Sequence, residues 1–371
     1  MKLTIERAAL MRSLNHVQSV VERRNTIPIL SNVLMKADGD SLSMTTTDMD
    51  LEINESVAAK VDRPGATTAP AHTLHDIVRK LPDGADVTLE VDASGNSMTV
   101  KAGRSTFKLS CLPTSDFPEI GNAQLPSGFT IPAAELRHLI DRTKFAMSTE
   151  ETRYYLNGIY VHAADADGVK VLRAVATDGH RLARFEMPMP DGAEGMPGVI
   201  VPRKTINELR KLLDEAADSI KVSLSESKVR FSFDHIELTS KLIDGTFPNY
   251  EQVIPTKNDK IVEVNPKVFS NAIDRVSTIS DGKSRAVKIA LNGKVMTLSA
   301  NSPEAGSATE DLEVNSNDNM EIGFNARYLL DITSQIEGDG CRIILADSAS
   351  PTIIQDASDA SALYVLMPLR V

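Results

Sequence analysis

Internal repetition constrains the fold of this chain more than any single motif does. Six segments share one pattern: a short apolar strand, a turn or cap, then an amphipathic helix. They open as LTIERAAL from Leu3, TTAPAHTL from Thr67, FTIPAAEL from Phe129, VIVPRKTI from Val199, VEVNPKVF from Val262 and MEIGFNAR from Met320. The pattern predicts helices starting near residues 6, 71, 133, 203, 266 and 326, about 60 to 70 residues apart. Proline or a small polar residue opens most of them, as the first turn of a helix prefers. Leu136, Leu139 and Ile140, then Leu209, Leu212 and Leu213, recur at helical spacing. Alternating strands such as DVTLEV, SIKVSL and CRIILA follow, with Gly, Asp and Asn at the turns.

A longer period lies on top of the short one. The stretch LSNVLMKADGDSLSMTTTDMDLEI resembles LNGIYVHAADADGVKVLRAVATDGHRLARF and, more loosely, VKIALNGKVMTLSANSPEAGSATEDL. LSCLPTSDFPEI matches LTSKLIDGTFPNYEQVI in the same way. Two units therefore make a domain, and three similar domains are expected at residues 1–123, 124–256 and 257–371. Each holds two helices and about eight strands in an α+β arrangement. The helices pack on one face of antiparallel sheets whose edges can pair with the next domain.

Composition enters where the partner is at issue. The chain carries a formal charge of −11, which alone argues against nucleic acid. Its distribution reverses that argument. The six predicted helices hold 14 Lys and Arg against nine Asp and Glu, a net +5, so everything else carries −16. A basic helical layer suits phosphates and an acidic strand layer repels them. No apolar run reaches the ~18 residues of a membrane span, and MKLTIERAAL lacks the apolar region of a signal peptide. Cys111 and Cys341 lie far apart and form no CxxC pair, which fits a reducing cytoplasm without disulfide or zinc.

Catalytic signatures are missing from the sequence. The seven His show no HExxH or other paired metal spacing, no GxGxxG follows a strand, and neither a Walker loop nor GxSxG occurs. Thr47-Asp48, Asp50 and Thr177-Asp178 offer acidic groups to a metal-dependent hydrolase, but they occupy equivalent turns of the repeat, where Asp is a common turn residue. A non-ring repeat scaffold that binds only proteins is a second alternative. The third is a DNA ring. If equivalent helices line a closed hole side by side, each takes roughly 10 Å of circumference. On that geometry six helices leave a hole of roughly 9 Å, twelve roughly 28 Å and eighteen roughly 47 Å. B-form DNA is about 20 Å across, so two chains suit a duplex, and head-to-tail repetition closes cleanly.

The segments PILSNVLM (28–35), RYYLNGIY (153–160), ATDGHRLA (176–183), VIVPRK (199–204), TSKLIDGTFPNY (239–250), EIGFNARYLLD (321–331) and YVLMPLRV (364–371) resemble the bacterial β sliding clamps. These are the processivity subunits of DNA polymerase III, and the likeness runs from Met1 to Val371 without large insertions. The resemblance implies a head-to-tail homodimeric ring of six domains, with twelve helices lining the hole and sheets outside. It implies sequence-independent encirclement of double-stranded DNA and loading by an ATP-driven clamp loader. Replicative and translesion polymerases and repair proteins would dock through short linear peptides. The subunit would be non-catalytic within a nucleotidyltransferase holoenzyme, need no cofactor or metal, and lie in the cytoplasm with the nucleoid.

Residue by residue, the resemblance places a peptide pocket on Leu156, Thr177, Gly179, His180, Arg181, Leu182, Pro248, Val253, Asn325, Tyr328, Val365, Leu366, Met367, Pro368, Leu369 and Arg370. Apolar walls with a few polar groups suit a peptide hook, and an adaptable Met suits several partners. DNA contact falls to Arg24, Tyr154, Tyr155, Arg203 and Lys204, whose donors neutralise phosphates without reading sequence. Two departures bear on peptide preference: Gln252 stands where some relatives carry Arg, and Ser284 where some carry Phe. His72 stands where a relative has Arg, which removes one positive contact at neutral pH.

Overall fold

The computed structural model describes residues 1–118, 120, 124–216, 218–280 and 285–370. Six α-helices occur there: α1 (Arg7–Val17), α2 (Ala71–Lys80), α3 (Ala133–Thr143), α4 (Arg203–Leu212), α5 (Pro266–Ser277) and α6 (Ala326–Thr333). All begin within one residue of the starts read from the repeat. Each follows directly, or after one residue, on a strand: Lys2–Glu6, Gly65–Pro70, Ser127–Pro132, Val199–Pro202, Lys260–Val264 and Asn319–Asn325. Asn265 and Asn325 cap α5 and α6 by accepting from the first free backbone N–H groups, as their short polar side chains allow. The apolar stripes point inward: Leu136, Leu139, Ile140, Leu209, Leu212 and Leu213 are all buried.

The chain divides into two compact units. The first comprises Met1–Ala134, Pro190–Met196 and Lys204–Leu242, and the second Glu135–Met189, Pro197–Arg203 and Ile243–Val371. The division falls inside the central third, because that third shares its strands between two long sheets. In the first unit an eight-stranded antiparallel sheet runs, in order, Ser127–Pro132, Ser219–Leu224, Lys228–Phe233, Ile236–Lys241, Leu51–Ala58, Ser41–Thr47, Asn32–Asp38 and Gly65–Pro70. In the second, an eight-stranded sheet runs Val199–Pro202, Gly158–Ala166, Val169–Thr177, Arg181–Pro188, Ala362–Leu366, Thr352–Asp356, Cys341–Leu345 and Lys260–Val264. A five-stranded sheet completes the first unit and a four-stranded sheet the second. Each third of the chain thus contributes two helices and eight or nine strands among the described residues.

The two long sheets share one junction design. In the first, Ile236–Lys241 pairs with Leu51–Ala58, with Thr239 opposite Glu52. In the second, Ala362–Leu366 pairs with Arg181–Pro188, with Val365 opposite Leu182. At each junction a tight turn precedes the receiving strand. The Thr47 hydroxyl donates to the Leu51 carbonyl at 2.9 Å, and the Thr177 hydroxyl to that of Arg181 at 2.7 Å. Asp48 Oδ1 accepts from the N–H groups of Asp50 and Leu51, and Asp178 Oδ1 from those of His180 and Arg181. Met49 and Gly179 take the same left-handed conformation, at φ 78° and 87°. Each incoming strand then docks identically: Lys241 N–H donates to the Asp50 carbonyl and Met367 N–H to that of His180. The carboxylates of both turns are therefore engaged, Asp48 and Asp178 by backbone donors and by Lys204 and Arg181, and Asp50 by Lys241. Among the described residues no group of three or more His, Cys, Asp or Glu side chains is placed to hold a metal ion.

Cys111 and Cys341 are free and buried. No helix of the described residues is long and apolar enough to cross a membrane.

Candidate functional site

The junction of the second unit encloses a cavity of about 240 Å³. Leu156, Leu182 and Val365 form its floor and belong to one buried apolar cluster with Val175, Ile200, Phe247 and Tyr250. Its rim is apolar and open: Val253 is 50 % exposed and Met367 40 % exposed. Large apolar side chains left this accessible around a dry-walled hole mark a place where another apolar group gains by burial.

The polar edge is rigid because Arg181 is spent on holding it. Its guanidinium donates from Nη1 to Asp331 at 2.5 Å, from Nη2 to the Phe145 carbonyl at 2.6 Å, and from Nε to Asp178 at 3.1 Å. It also lies over the Tyr328 ring, 4.3 Å from the centroid, and 5.3 Å from that of Phe145. His180 also stacks against Tyr328, the ring centroids 6.3 Å apart. An Arg with all three nitrogens engaged orients a wall and has little left for a ligand. Burial pushes the Tyr328 hydroxyl above its ordinary range, so the ring stays neutral.

Gly179 is favoured by its backbone conformation and by the nearness of Arg153. Its φ of 87° lies in the left-handed region, and a Cβ there would sit 2.6 Å from Arg153 Nη1. Arg153 is itself clamped by Glu150, which accepts at 2.8 and 2.6 Å. Behind the floor, buried Arg173 donates to Glu186 at 2.7 Å, to the Tyr250 hydroxyl at 2.8 Å and to Glu251 at 2.7 Å. His162 Nδ1 faces the Ala163 carbonyl at 2.8 Å, and Nε2 the Tyr250 hydroxyl at 3.0 Å. With Nδ1 carrying the proton, Nε2 accepts from Tyr250. Desolvation holds His162 below its usual range and keeps this arrangement neutral.

Ten of the sequence-read residues line the one cavity: Leu156, Thr177, Gly179, His180, Arg181, Leu182, Pro248, Val253, Val365 and Met367. Tyr328 flanks it through the stacking just described. The others stand elsewhere. Asn325 is occupied as the cap of α6. Leu366 is fully buried in the strand and alternates away from Val365 and Met367. The Leu369 N–H donates to the Gly323 carbonyl at 2.8 Å, Pro368 is half-buried and Arg370 exposed. Tyr250 and Asn249 line the cavity without having been singled out; the matched strings LSCLPTSDFPEI and LTSKLIDGTFPNYEQVI were the signal that pointed to their loop. Gln252 is exposed beside Val253, and Ser284 lies outside the described residues.

The candidate DNA residues have varied surroundings. Tyr154 is 53 % exposed and packs edge-on against Tyr155, the rings 5.8 Å apart. Arg24 is exposed, and half-buried Arg203 reaches the Ser148 carbonyl at 3.5 Å. Lys204 is held by an ion pair with Asp48 and lies 3.4 Å from Glu22, and despite desolvation these acids raise its pKa. Basic residues of the helices are widely paired in this way: Arg7 with Asp83, Arg12 with Glu215, Arg142 with Glu337 and Arg275 with Glu310. The helical excess of positive charge is therefore partly compensated on the spot. His72 is bonded to Gln18 and to the Val21 carbonyl at 2.9 Å each.

Comparison with known proteins gives three consecutive matches: to the N-terminal domain of the DNA polymerase III beta subunit over residues 1–121, its central domain over 130–249 and its C-terminal domain over 251–370. The beta sliding clamp of Caulobacter vibrioides is 55 % identical over 372 residues, covering 100 % of both chains. Among solved structures, a DNA polymerase sliding clamp from Caulobacter crescentus superimposes with a TM-score of 0.95 at 55 % identity, covering 100 % of both chains. A DnaN sliding clamp from Bartonella birtlesii, bound to griselimycin, does so with a TM-score of 0.97 at 50 % identity, again over 100 % of both.

Proposed function

The chain belongs to the DNA polymerase III beta subunit family, the β sliding clamps, and from that membership we propose that it encircles duplex DNA and tethers the replicative polymerase to it. The apolar cavity with exposed Val253 and Met367 at its rim carries the second half of the reading: it is where polymerases and repair proteins insert the apolar residues of a short linear peptide. Peptide capture at this site raises the partner's effective concentration at DNA, so processivity follows from topology and needs no chemistry. The relative from Bartonella birtlesii that was solved with griselimycin bound supports a ligand-binding site in this family.

In this reading three domains, at 1–123, 124–256 and 257–371, pair with a second copy head to tail, and twelve helices line the hole. Two sheet edges favour that assembly. The edge strand Ser105–Ser110 carries Lys108 and exposed Phe107, close to Lys101 and Arg104. Gly306–Glu313, an edge of the four-stranded sheet, carries Glu310, Asp311 and Glu313. Opposite charge on two unpaired edges suits strand addition between copies. Arg24, Tyr154, Tyr155, Arg203 and Lys204 make weak phosphate contacts, an ATP-driven loader opens the ring, and the protein works in the cytoplasm.

Retention after loading tests the topology. On a nicked circle in high salt the protein stays, whereas on the same DNA linearised it slides off. Salt removes phosphate contacts and leaves a closed ring in place. Equal loss from both DNAs, with loading verified, would replace the clamp with a protein-binding scaffold. For the cavity, deletion of residues 367–371 abolishes polymerase binding and leaves the dimer; unchanged polymerase affinity would overturn the pocket.

A further inference from the structure

The first unit has a cavity of its own, of about 220 Å³, at the corresponding place in its junction. Strand register fixes the correspondence. Thr45 lies opposite Asn54 as Val175 lies opposite Arg184. Glu52 lies opposite Thr239 as Leu182 lies opposite Val365. Arg230 lies opposite Thr239 as Ile353 lies opposite Val365. Phe117-Pro118 stands where Phe247-Pro248 stands in the matching sequence, and Phe117 and Pro118 line this cavity as Pro248 lines the other. The frame is the same, but six of the ten lining residues are polar, Lys36, Thr45, Glu52, Asn54, Arg230 and Thr239, beside the apolar Leu34 and Ile120.

We propose that this cavity is a second docking site, which takes an acidic side chain from an extended peptide segment of a partner protein. The peptide part of this inference rests on the reading of the apolar cavity; the acidic part rests on the lining alone. Arg230 is oriented by its Nε, which donates to the Thr239 hydroxyl at 3.1 Å, so the guanidinium is fixed before a ligand arrives. Among the described residues neither Arg230 nor Lys36 has an ion-pair partner, whereas most helical cations of this chain are neutralised. Asn54 Nδ2 donates to the Thr45 hydroxyl at 3.0 Å, and the Ser43 hydroxyl donates to Asn54 Oδ1 at 3.3 Å, so that wall is also set in advance. A carboxylate meets a prepared fork at Arg230 and a mobile charge at Lys36. Glu52 in the same wall opposes a doubly charged phosphate more than a singly charged carboxylate, which favours the acidic peptide. Phe117 and Pro118 receive the apolar part of the neighbouring peptide residue.

Fluorescence polarisation on the full-length chain at low salt tests this, with a fluorescein-labelled ten-residue peptide of alternating aspartate and alanine, which offers no large apolar side chain to the other cavity. The peptide binds, binding weakens as salt rises, and Arg230→Gln weakens it by about tenfold, the worth of one charge-assisted hydrogen bond. Lys36→Gln weakens it further, and Arg230→Lys, which keeps the charge and any folding role of the stem, restores part of it. Leu182→Glu, which fills the apolar cavity, leaves it unchanged. Equal affinity in Arg230→Gln and the natural chain overturns the proposal, as does loss of binding in Leu182→Glu, or displacement of the peptide by an equal concentration of inorganic phosphate. A polymerase-derived hook peptide run alongside separates the two readings: it is insensitive to Arg230→Gln, and its failure to bind the natural chain would count against the apolar site alone.

Discussion

The turn Thr47–Leu51 and the turn Thr177–Arg181 have matching hydrogen bonds, matching left-handed residues and matching strands docked against them, yet one opens on polar side chains and the other on apolar ones. Val175, Leu182 and Val365 in the second unit replace Thr45, Glu52 and Thr239 in the first. The backbone therefore decides that a hollow exists and where it lies, because strand register and a capped turn recur with the repeat. It does not decide what enters. Three side chains pointing to one face of a sheet do that, and they change without cost to the ladder that carries them. An internal repeat that duplicates a junction in this way gives two sites free to diverge in ligand chemistry.

The largest effect comes from making the second junction resemble the first. Leu182→Glu places a carboxylate on the floor of the apolar cavity, where desolvation without a partner is costly. Affinity for a hook peptide falls by at least about 100-fold, measured by fluorescence polarisation, while far-ultraviolet circular dichroism remains that of the natural chain. A loss smaller than about threefold would mean that the peptide does not reach the floor. Next in size is Gly179→Ala, which sets a Cβ against Arg153 in a left-handed turn. It destabilises the second unit by about 1 to 2 kcal/mol, read as a lower urea midpoint. No change in midpoint would show that the turn relaxes freely.

The helices and the turns were legible in the sequence because both are local. A strand running straight into a capped helix leaves a signature within ten residues, and the TTDMDL and ATDGHRL strings expose a shared turn. Long-range pairing left no such trace. Arg181 reads as a pocket residue, but nothing near it in the sequence shows that its guanidinium is engaged by Asp331, 150 residues on. The basic bias of the helices reads as a free positive layer, although Arg12 is met by Glu215 and Lys204 by Asp48. Those partners come from turns distant in sequence, so no periodicity along the helix announces them. The resemblance places Leu366 in the pocket together with its chain neighbours, and its side chain is fully buried outside the cavity lining. Strand alternation separates it from Val365 and Met367.

Two partly buried histidines, one in each unit, answer pH in opposite senses. In the first, burial disfavours a charged His16, but Glu55 at 2.8 Å and Glu215 at 3.2 Å outweigh it and raise its pKa. That stabilisation is fully present below the unfolded value of about 6.5 and is lost as pH rises through the folded value. In the second unit, burial lowers the pKa of His162. The unfolded chain therefore binds the proton first, and stability is lost as pH falls below about 6.5 toward the folded value. Urea unfolding of His16→Gln and His162→Gln at pH 5.5 and pH 8 checks the pair. The natural chain's advantage over His16→Gln shrinks at the higher pH, and its advantage over His162→Gln shrinks at the lower. Equal pH slopes for both variants would remove the distinction.

The smallest effect is expected at Met49, which holds the same left-handed conformation as Gly179 but with a side chain. An L-residue there is strained by about 1 kcal/mol, which Met49→Gly relieves. The same change frees the unfolded backbone, which costs about 0.5 to 1 kcal/mol. The two terms nearly cancel, and Met49 is 45 % exposed, so little packing is lost with the side chain. Stability of the first unit therefore shifts by less than about 0.5 kcal/mol in either direction, within which Gly179→Ala cannot fall if Arg153 is a true obstacle. Destabilisation beyond about 1 kcal/mol in Met49→Gly would mean that the thioether chain packs on the turn and supports the polar cavity's frame. The first junction would then differ from the second in how its turn is held as well as in what lines it.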